Sequence, residues 1–280
     1  MAGTAAGRAS TVARHMRLPT LLTGCAALFL QLSGASAVEI VAHRGASHDA
    51  PENTVSAFKL GWEQGADLVE LDVYLSKDGE IVAMHDKDTK RTAGVAKPVV
   101  AQTLEELRAL DVGKWKAPKW EGERVPTLSD TIATVPEGKR LFIEIKTGPE
   151  ILPKLKEVLD ASGRDKKHFE VIAFNYDVMK QGKELMPEIR MHWLVAPKKN
   201  QPVPSVEEMI AKAKAAKVDG LNLSKEFPID QEFAKKIKDA GLNFYVWTVN
   251  DAEHAKRLVK AGVEGIATDR PGWLRAKLEE

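Results

Sequence analysis

The chain has 280 residues, enough for one large domain or two small ones. Apolar residues make up 44% and charged residues 29%, with one cysteine, no low-complexity tract and a formal net charge of +1. That composition is ordinary for a soluble globular protein, and a near-neutral chain without a basic stripe excludes an electrostatic nucleic-acid binder.

The first 37 residues differ from the rest. Arg8, Arg14 and Arg17 precede an uncharged apolar segment, LPTLLTGCAALFLQLSG, and Ala35-Ser36-Ala37 follows it. A basic start, an apolar middle and an A-x-A end are expected of a cleaved secretory signal peptide, which makes the mature protein secreted or periplasmic. Pro19, Gly24 and Gln31 interrupt the segment, which is also short for a membrane span, so no stable membrane insertion is expected after processing. Leu22-Thr23-Gly24-Cys25 also resembles a lipobox, and a lipid anchor on Cys25 is the minor alternative to cleavage near Ala37. Loss of residues 1–37 removes three arginines and no acid, turning the net charge to −2. It also removes the only cysteine, which excludes disulfides and thiol catalysis from residues 38–280.

From Val38 onward, short β-rich runs alternate with helix-period segments. EIVAHRG reads as a strand, and NTVSAFKLGWEQG as a helix with Val55, Phe58 and Trp62 on one face. DLVELDVYLS is a strand, and EIVAMHD is a further extended piece after a Lys-Asp-Gly turn. RLFIEIKT, FEVIAFN, RMHWLVA, VDGLNLS, LNFYVWTV and EGIATD continue the strands, each followed by a helical pattern. Capping-box spacing appears at Thr103 with Glu106, Ser205 with Glu208 and Asn250 with Glu253, and Gly241 and Gly262 suit helix ends. Eight strand-helix units predict a closed (β/α)8 TIM barrel over residues 38–280; a doubly wound open sheet competes, but no Gly-rich phosphate loop follows the first strand. Residues 86–126 break the alternation. They are expected to form a short insertion after the second strand region, on the side where barrel active sites are built.

Side chains two apart on a strand share a face. Glu70 and Asp72 therefore point one way and Leu71 and Val73 the other; Glu144 and Lys146 oppose Ile143 and Ile145. The apolar set must pack on the helices, so three carboxylates and a lysine are directed inward. Burying them unpaired would cost several kcal/mol each, so they need a divalent cation, protonation or positive neighbours. All-oxygen donors suit Mg2+ or Ca2+ better than zinc. His43 and Arg44 end the first strand and His85 ends IVAMH, which places an acid/base pair at the same end of adjacent strands. Arg44 and Lys146 suit an anionic, phosphate-like substrate. Together these residue types fit phosphoryl transfer. His48, His168, His192 and His254 read as structural or solvent-facing, with His48 close enough to His43 in sequence to touch a substrate.

AHRGASHDAPENT, VELDVYLSKDGEIVAMHD, FIEIK, FYVWTVN and GIATDRP, in that order, resemble the glycerophosphodiester phosphodiesterase family over the whole of residues 38–280. The resemblance implies a (β/α)8 barrel, His43 and His85 as catalytic acid and base, and Glu70, Asp72 and Glu144 as ligands of one divalent cation, Ca2+ or Mg2+. It implies that Arg44 and Lys146 contact the phosphate and that Trp247 stands near the substrate. The implied chemistry is attack of a glycerol hydroxyl on its own phosphorus, then opening of the cyclic phosphate by water, giving glycerol 3-phosphate and an alcohol. Ala173 stands where many relatives carry serine, so no catalytic role is expected there. The expected partner is a small glycerophosphodiester, with headgroup and oligomeric state left open. A phospholipase of lysophospholipase D or phospholipase C type, acting on lipid diesters, is the alternative; Trp115 and Trp120 in the insertion are its candidate lipid contacts. A non-catalytic binding protein on the same barrel is the third reading.

Overall fold

β1 (Glu39–Ala42) opens a ring of parallel strands in a computed structural model that describes residues 38–280, with Gly3 and Gly7. The leader expected upstream of Val38, its processing sites and Cys25 lie outside the described residues. α1 (Val55–Glu63), β2 (Leu68–Leu75) and β3 (Ile81–Ala83) follow. α2 (Lys90–Ala93), α3 (Leu104–Ala109) and α4 (Leu128–Ile132) precede β4 (Arg140–Ile145). Strict alternation then resumes: α5 (Leu152–Ala161), β5 (Phe169–Ala173), α6 (Tyr176–Leu185), β6 (Arg190–Val195), α7 (Val206–Ala215) and β7 (Gly220–Ser224). α8 (Gln231–Asp239), β8 (Asn243–Trp247), α9 (Ala252–Ala261), β9 (Gly265–Thr268) and α10 (Pro271–Glu279) complete it.

Eight strands close into the expected barrel. β1 pairs in parallel with both β2 and β9, and the ring runs on through β4, β5, β6, β7 and β8. β3 is different: it is a ninth strand, antiparallel to β2 in the register Val73↔Ala83, and stands outside the ring. His85 therefore does not end a strand adjacent to β1. β2 rises past the barrel, reverses at the Lys77-Asp78-Gly79 turn, and β3 brings His85 back down beside Asp72, where Met84 N donates to Asp72 O (3.0 Å).

Alternation separates two cores. The outward set, including Val69, Leu71, Val73, Ile143 and Ile145, is buried against the helices. Val41, Leu68, Phe142, Ile172, Leu194, Tyr245 and Ala267 fill the barrel interior as a smaller plug. Tyr245 lies so close to β9 that a Cβ on Gly265 would sit 2.2 Å from its ring, so glycine is the side chain that this plug permits. Below the plug, Glu170 and His192 are fully buried. Glu170 takes Arg140 at 2.5 Å, Arg190 at 2.8 Å and His192 Nε2 at 3.1 Å, partners that offset the several kcal/mol cost of burying its charge. The plug separates this lower cluster from the charges at the barrel mouth.

Local caps follow the sequence with one difference. Thr103/Glu106 and Ser205/Glu208 form full capping boxes. Asn250 does not cap α9; Asp251 accepts from His254 N instead, because Asn250 is turned onto Thr268 and Asp269. The cap of α1 is Thr54, whose hydroxyl accepts from Ala57 N, which frees Glu52 and Asn53 for the barrel mouth. Residues 86–126 carry a small core of their own, with Met84, Val99, Leu107, Val112 and Val125 buried together. Lys116 Nζ ties this segment to the β1–α1 loop through Ser47 O (2.7 Å). Among the described residues, no helix is long and apolar enough to cross a membrane.

Candidate active site

The C-terminal ends of the strands meet around a small cavity whose wall includes His43, Arg44, Glu70, His85, Glu144, Asn222 and Trp247. Its floor is the apolar plug (Val41, Phe142, Ile172, Leu194). Strand alternation delivers the inward row directly: Glu70 and Asp72 from β2, then Glu144 from β4, register-paired as Asp72↔Glu144.

These three carboxylates are buried, and one oxygen from each lies within 4.8 Å of the others. Glu70 Oε2 accepts from Arg44 N (2.7 Å), whereas its buried Oε1 has no partner. Desolvation first, then Asp72 and Glu144, push Glu70 well above the ordinary carboxylate range. Glu144 is raised by the same burial and by Asp72. Asp72 goes the other way: its burial is outweighed by Lys146, Arg44, His85 and Asn53. An orphaned oxygen in an all-carboxylate, buried donor set is what a hard divalent cation satisfies, so Glu70, Asp72 and Glu144 fit one.

Lys146 Nζ lies 2.7 Å from Glu144 Oε1 and 3.2 Å from Asp72 Oδ1. The Arg44 guanidinium is held by Glu52 (3.0 Å) and stands 3.2 Å from Asp72 Oδ2. Asn53 clamps Asp72 from both sides, donating Nδ2 to Oδ2 (2.9 Å) and accepting Asp72 N at 3.1 Å. Arg44 and Asn53 both adopt left-handed backbone, at φ 58° and 56°. That strain turns Arg44 N onto Glu70 while its side chain reaches the carboxylates; it persists because these contacts over-determine it. Gly45 explains the third residue of the His-Arg-Gly run: a Cβ there would lie 2.5 Å from Ala57 C in the first turn of α1.

Each histidine is oriented by an aspartate. His43 Nδ1 lies 2.7 Å from Asp269 Oδ1, and His85 Nδ1 lies 2.8 Å from Asp86 Oδ1. A carboxylate only accepts, so Nδ1 carries the proton and Nε2 is left for chemistry. Asp269 is fixed by Ser47 Oγ (3.0 Å) and Asn250 Nδ2 (2.5 Å). His43 first, then the bonds from Asn250 and Ser47, outweigh its desolvation and hold it far below the usual range. Burial pulls His85 below the ordinary imidazole value, against the pull of Asp72. Trp247 donates Nε1 to Asn222 O (3.1 Å) and meets Phe174 edge-on at 5.5 Å, an apolar shelf at the lip. Ala173 faces outward, into the core against the helices. His48 pairs with Asp49 (2.7 Å) and Arg270 (2.5 Å) and is absent from the cavity wall.

All eight residues singled out from the sequence thus converge on the mouth. Three that order them were not foreseen: Asp269, Asp86 and Arg91. Asp269 lies 226 residues from His43, and only barrel closure between β9 and β1 brings them together. Its sequence signals are a spacing of two from inward-facing Ala267 and its place in the GIATDRP run.

Asp86 offers a test of this geometry. Hydrogen bonds from Arg91 and then His85 outweigh its desolvation and lower it to about 2. A depressed carboxylate stabilises the fold above its ordinary pKa and loses that contribution as pH falls through its folded value. Asp86→Asn is therefore expected to be less stable than wild type at neutral pH and to converge on it between about pH 4 and pH 2. Denaturant titrations across that range check it; parallel curves would contradict the pairing.

A parallel barrel with an acidic trio for a divalent cation, two aspartate-held imidazoles and two inward cations has the equipment of a phosphodiester hydrolase. Comparison with known proteins agrees. Residues 43–273 match the profile of the glycerophosphoryl diester phosphodiesterase family. The Bacillus subtilis protein YhdW is 36% identical over 237 residues, covering 84% of this chain and 96% of its own. The glycerophosphodiester phosphodiesterase of Caldanaerobacter subterraneus subsp. tengcongensis is 34% identical over 239 residues, covering 84% and 95%. Among solved structures, an Oleispira antarctica phosphodiesterase in complex with its product sn-glycerol 3-phosphate superposes with a TM-score of 0.80 at 30% identity, covering 86% of this chain and 97% of that one. The chain belongs to the glycerophosphodiester phosphodiesterase family, whose reaction is the hydrolysis of glycerophosphodiesters.

Proposed function

We propose that this enzyme hydrolyses soluble glycerophosphodiesters to glycerol 3-phosphate and an alcohol, with His43 and His85 as general acid and base. The observation that carries the reading is convergence: both imidazoles, Arg44 and two of the three carboxylates line a single cavity. Glu70, Asp72 and Glu144 would hold one Ca2+ or Mg2+, which when bound supplies Lewis-acid stabilisation of the phosphoryl oxygens. The trio with Arg44 and Lys146 sums to −1; a divalent cation and a singly charged phosphodiester bring the site to neutrality.

One imidazole Nε2 takes the proton of the glycerol hydroxyl as that oxygen attacks phosphorus, and the other gives a proton to the departing alcohol. Their roles then exchange: water loses its proton to the second imidazole and opens the cyclic phosphate, regenerating both. Arg44 and Lys146 hold the phosphate in line, and Trp247 packs against the apolar edge of the glycerol. Secretion or export to the periplasm is part of the proposal and rests on the sequence of residues 1–37 alone.

A second reading has one observation in its favour: Phe174, 46% exposed, extends the Trp247 shelf outward, where the alkyl part of a lyso-lipid could lie. A substrate panel separates the two. Glycerophosphocholine, glycerophosphoethanolamine and glycerophosphoinositol, compared with lysophosphatidylcholine above its micellar concentration, are expected to show turnover of the soluble diesters first. Turnover of micelles with none of the soluble diesters would establish the lipid reading in its place.

A further inference from the structure

The segment 86–126 contributes one side chain that reaches both halves of the site without lining the cavity. Arg91, in α2, is 41% exposed and makes four hydrogen bonds to two carboxylates. Nη1 and Nη2 donate to Glu52 Oε2 and Oε1 at 2.9 and 2.7 Å. Nε and Nη2 donate to Asp86 Oδ2 and Oδ1 at 2.7 and 3.2 Å. Glu52 is the carboxylate that holds the Arg44 guanidinium, and Asp86 is the one on His85 Nδ1. The Trp115 ring lies 5.5 Å from the guanidinium carbon and backs it from the segment's own side. Arg91 thus closes a continuous chain of ion pairs and hydrogen bonds: Asp72, Arg44, Glu52, Arg91, Asp86, His85.

We infer that Arg91 is a positioning residue, which sets the rotamer of His85 through Asp86 and the reach of Arg44 through Glu52. The inference rests on the role proposed above for His85. Its physical basis is shape. A planar guanidinium satisfies two carboxylates bidentately, fixing both planes at once, whereas a lysine ammonium on a flexible stem fixes neither. Without Arg91, Glu52 keeps only Arg44 and Asp86 only His85, so the planes of both carboxylates are less constrained, which loosens the imidazole and the phosphate-binding cation together. Each arm supports a group that acts during turnover, so the loss falls on kcat more than on KM.

The test uses the full-length enzyme with divalent cation and glycerophosphocholine. Arg91→Ala is expected to lower kcat by about tenfold to a hundredfold, the usual cost of an orienting partner, with KM changed by less than about threefold. Arg91→Lys is expected to recover little. Millimolar guanidinium chloride, which refills the vacated fork, is expected to raise the rate of Arg91→Ala severalfold and to leave His85→Ala unchanged; methylammonium at equal concentration is expected to do nothing. In the double variant, the losses from His85→Ala and Arg91→Ala are expected to combine to much less than their product. A kcat within twofold of wild type for Arg91→Ala would overturn the inference. So would a loss that guanidinium does not restore and that multiplies fully with His85→Ala, since that is the behaviour of a merely structural residue. Wild-type turnover by His85→Ala alone would instead remove the acid/base reading on which this rests.

Discussion

His43→Ala is expected to lower kcat on glycerophosphodiesters by roughly 10²- to 10⁴-fold, the range that general acid/base catalysis supplies. The expectation follows from geometry. His43 stands at the end of β1 on the cavity wall, and Asp269 holds its Nδ1 so that Nε2 faces inward (2.7 Å). Alanine removes the proton-transfer group yet leaves Asp269 its bonds to Ser47 and Asn250, so the carboxylate is not stranded and the fold tolerates the change. The decrease should therefore appear in kcat, with only a modest drop in the unfolding midpoint from loss of the His43 bond to Asp269. Steady-state kinetics beside a thermal melt check both halves. A variant within tenfold of wild type would show that His43 moves no proton in the slow step.

Chelation carries the second large effect. Exhaustive treatment with EDTA is expected to reduce turnover by at least about a thousandfold, since a divalent cation supplies several kcal/mol of charge stabilisation. Readdition of Ca2+ or Mg2+ should restore it. Without a cation, Glu70 and Glu144 are pushed upward by burial and by their mutual repulsion with Asp72, which favours a proton in the cation's place. Cation binding to the folded protein alone also raises the unfolding temperature in a concentration-dependent way, a readout independent of activity. Glu70→Gln should weaken both responses, because it converts the orphaned Oε1 position into an amide. Full activity after chelation, with no thermal shift on readdition, would remove the cation from the account.

Much of this site was legible in the sequence because strands have a period of two. Glu70 with Asp72, and Glu144 with Lys146, declare their inward direction against Leu71, Val73, Ile143 and Ile145, and the two cores sort as that pattern requires. The same alternation in FEVIA and RMHWLV would have exposed Glu170 and His192 as inward-facing, and thereby the lower charge cluster. What alternation does not carry is pairing direction. The Lys77-Asp78-Gly79 turn joins two extended pieces in a hairpin, so β3 is antiparallel, and His85 reaches the mouth by a reversal instead of along a barrel strand. Asp269 and Arg91 were hidden for a different reason. Asp269 is 226 residues from His43 and Arg91 is 39 from Glu52, and ring closure and the packing of residues 86–126 create the contacts that define them.

The measurement that bears most directly on the account follows glycerophosphocholine by ³¹P NMR in water enriched in ¹⁸O, with cation-loaded enzyme. Attack at phosphorus with departure of choline predicts glycerol 3-phosphate as the final phosphorus product, carrying one ¹⁸O visible as an upfield isotope shift, and choline free of label. Phosphocholine as the product, or label appearing in choline, would contradict it.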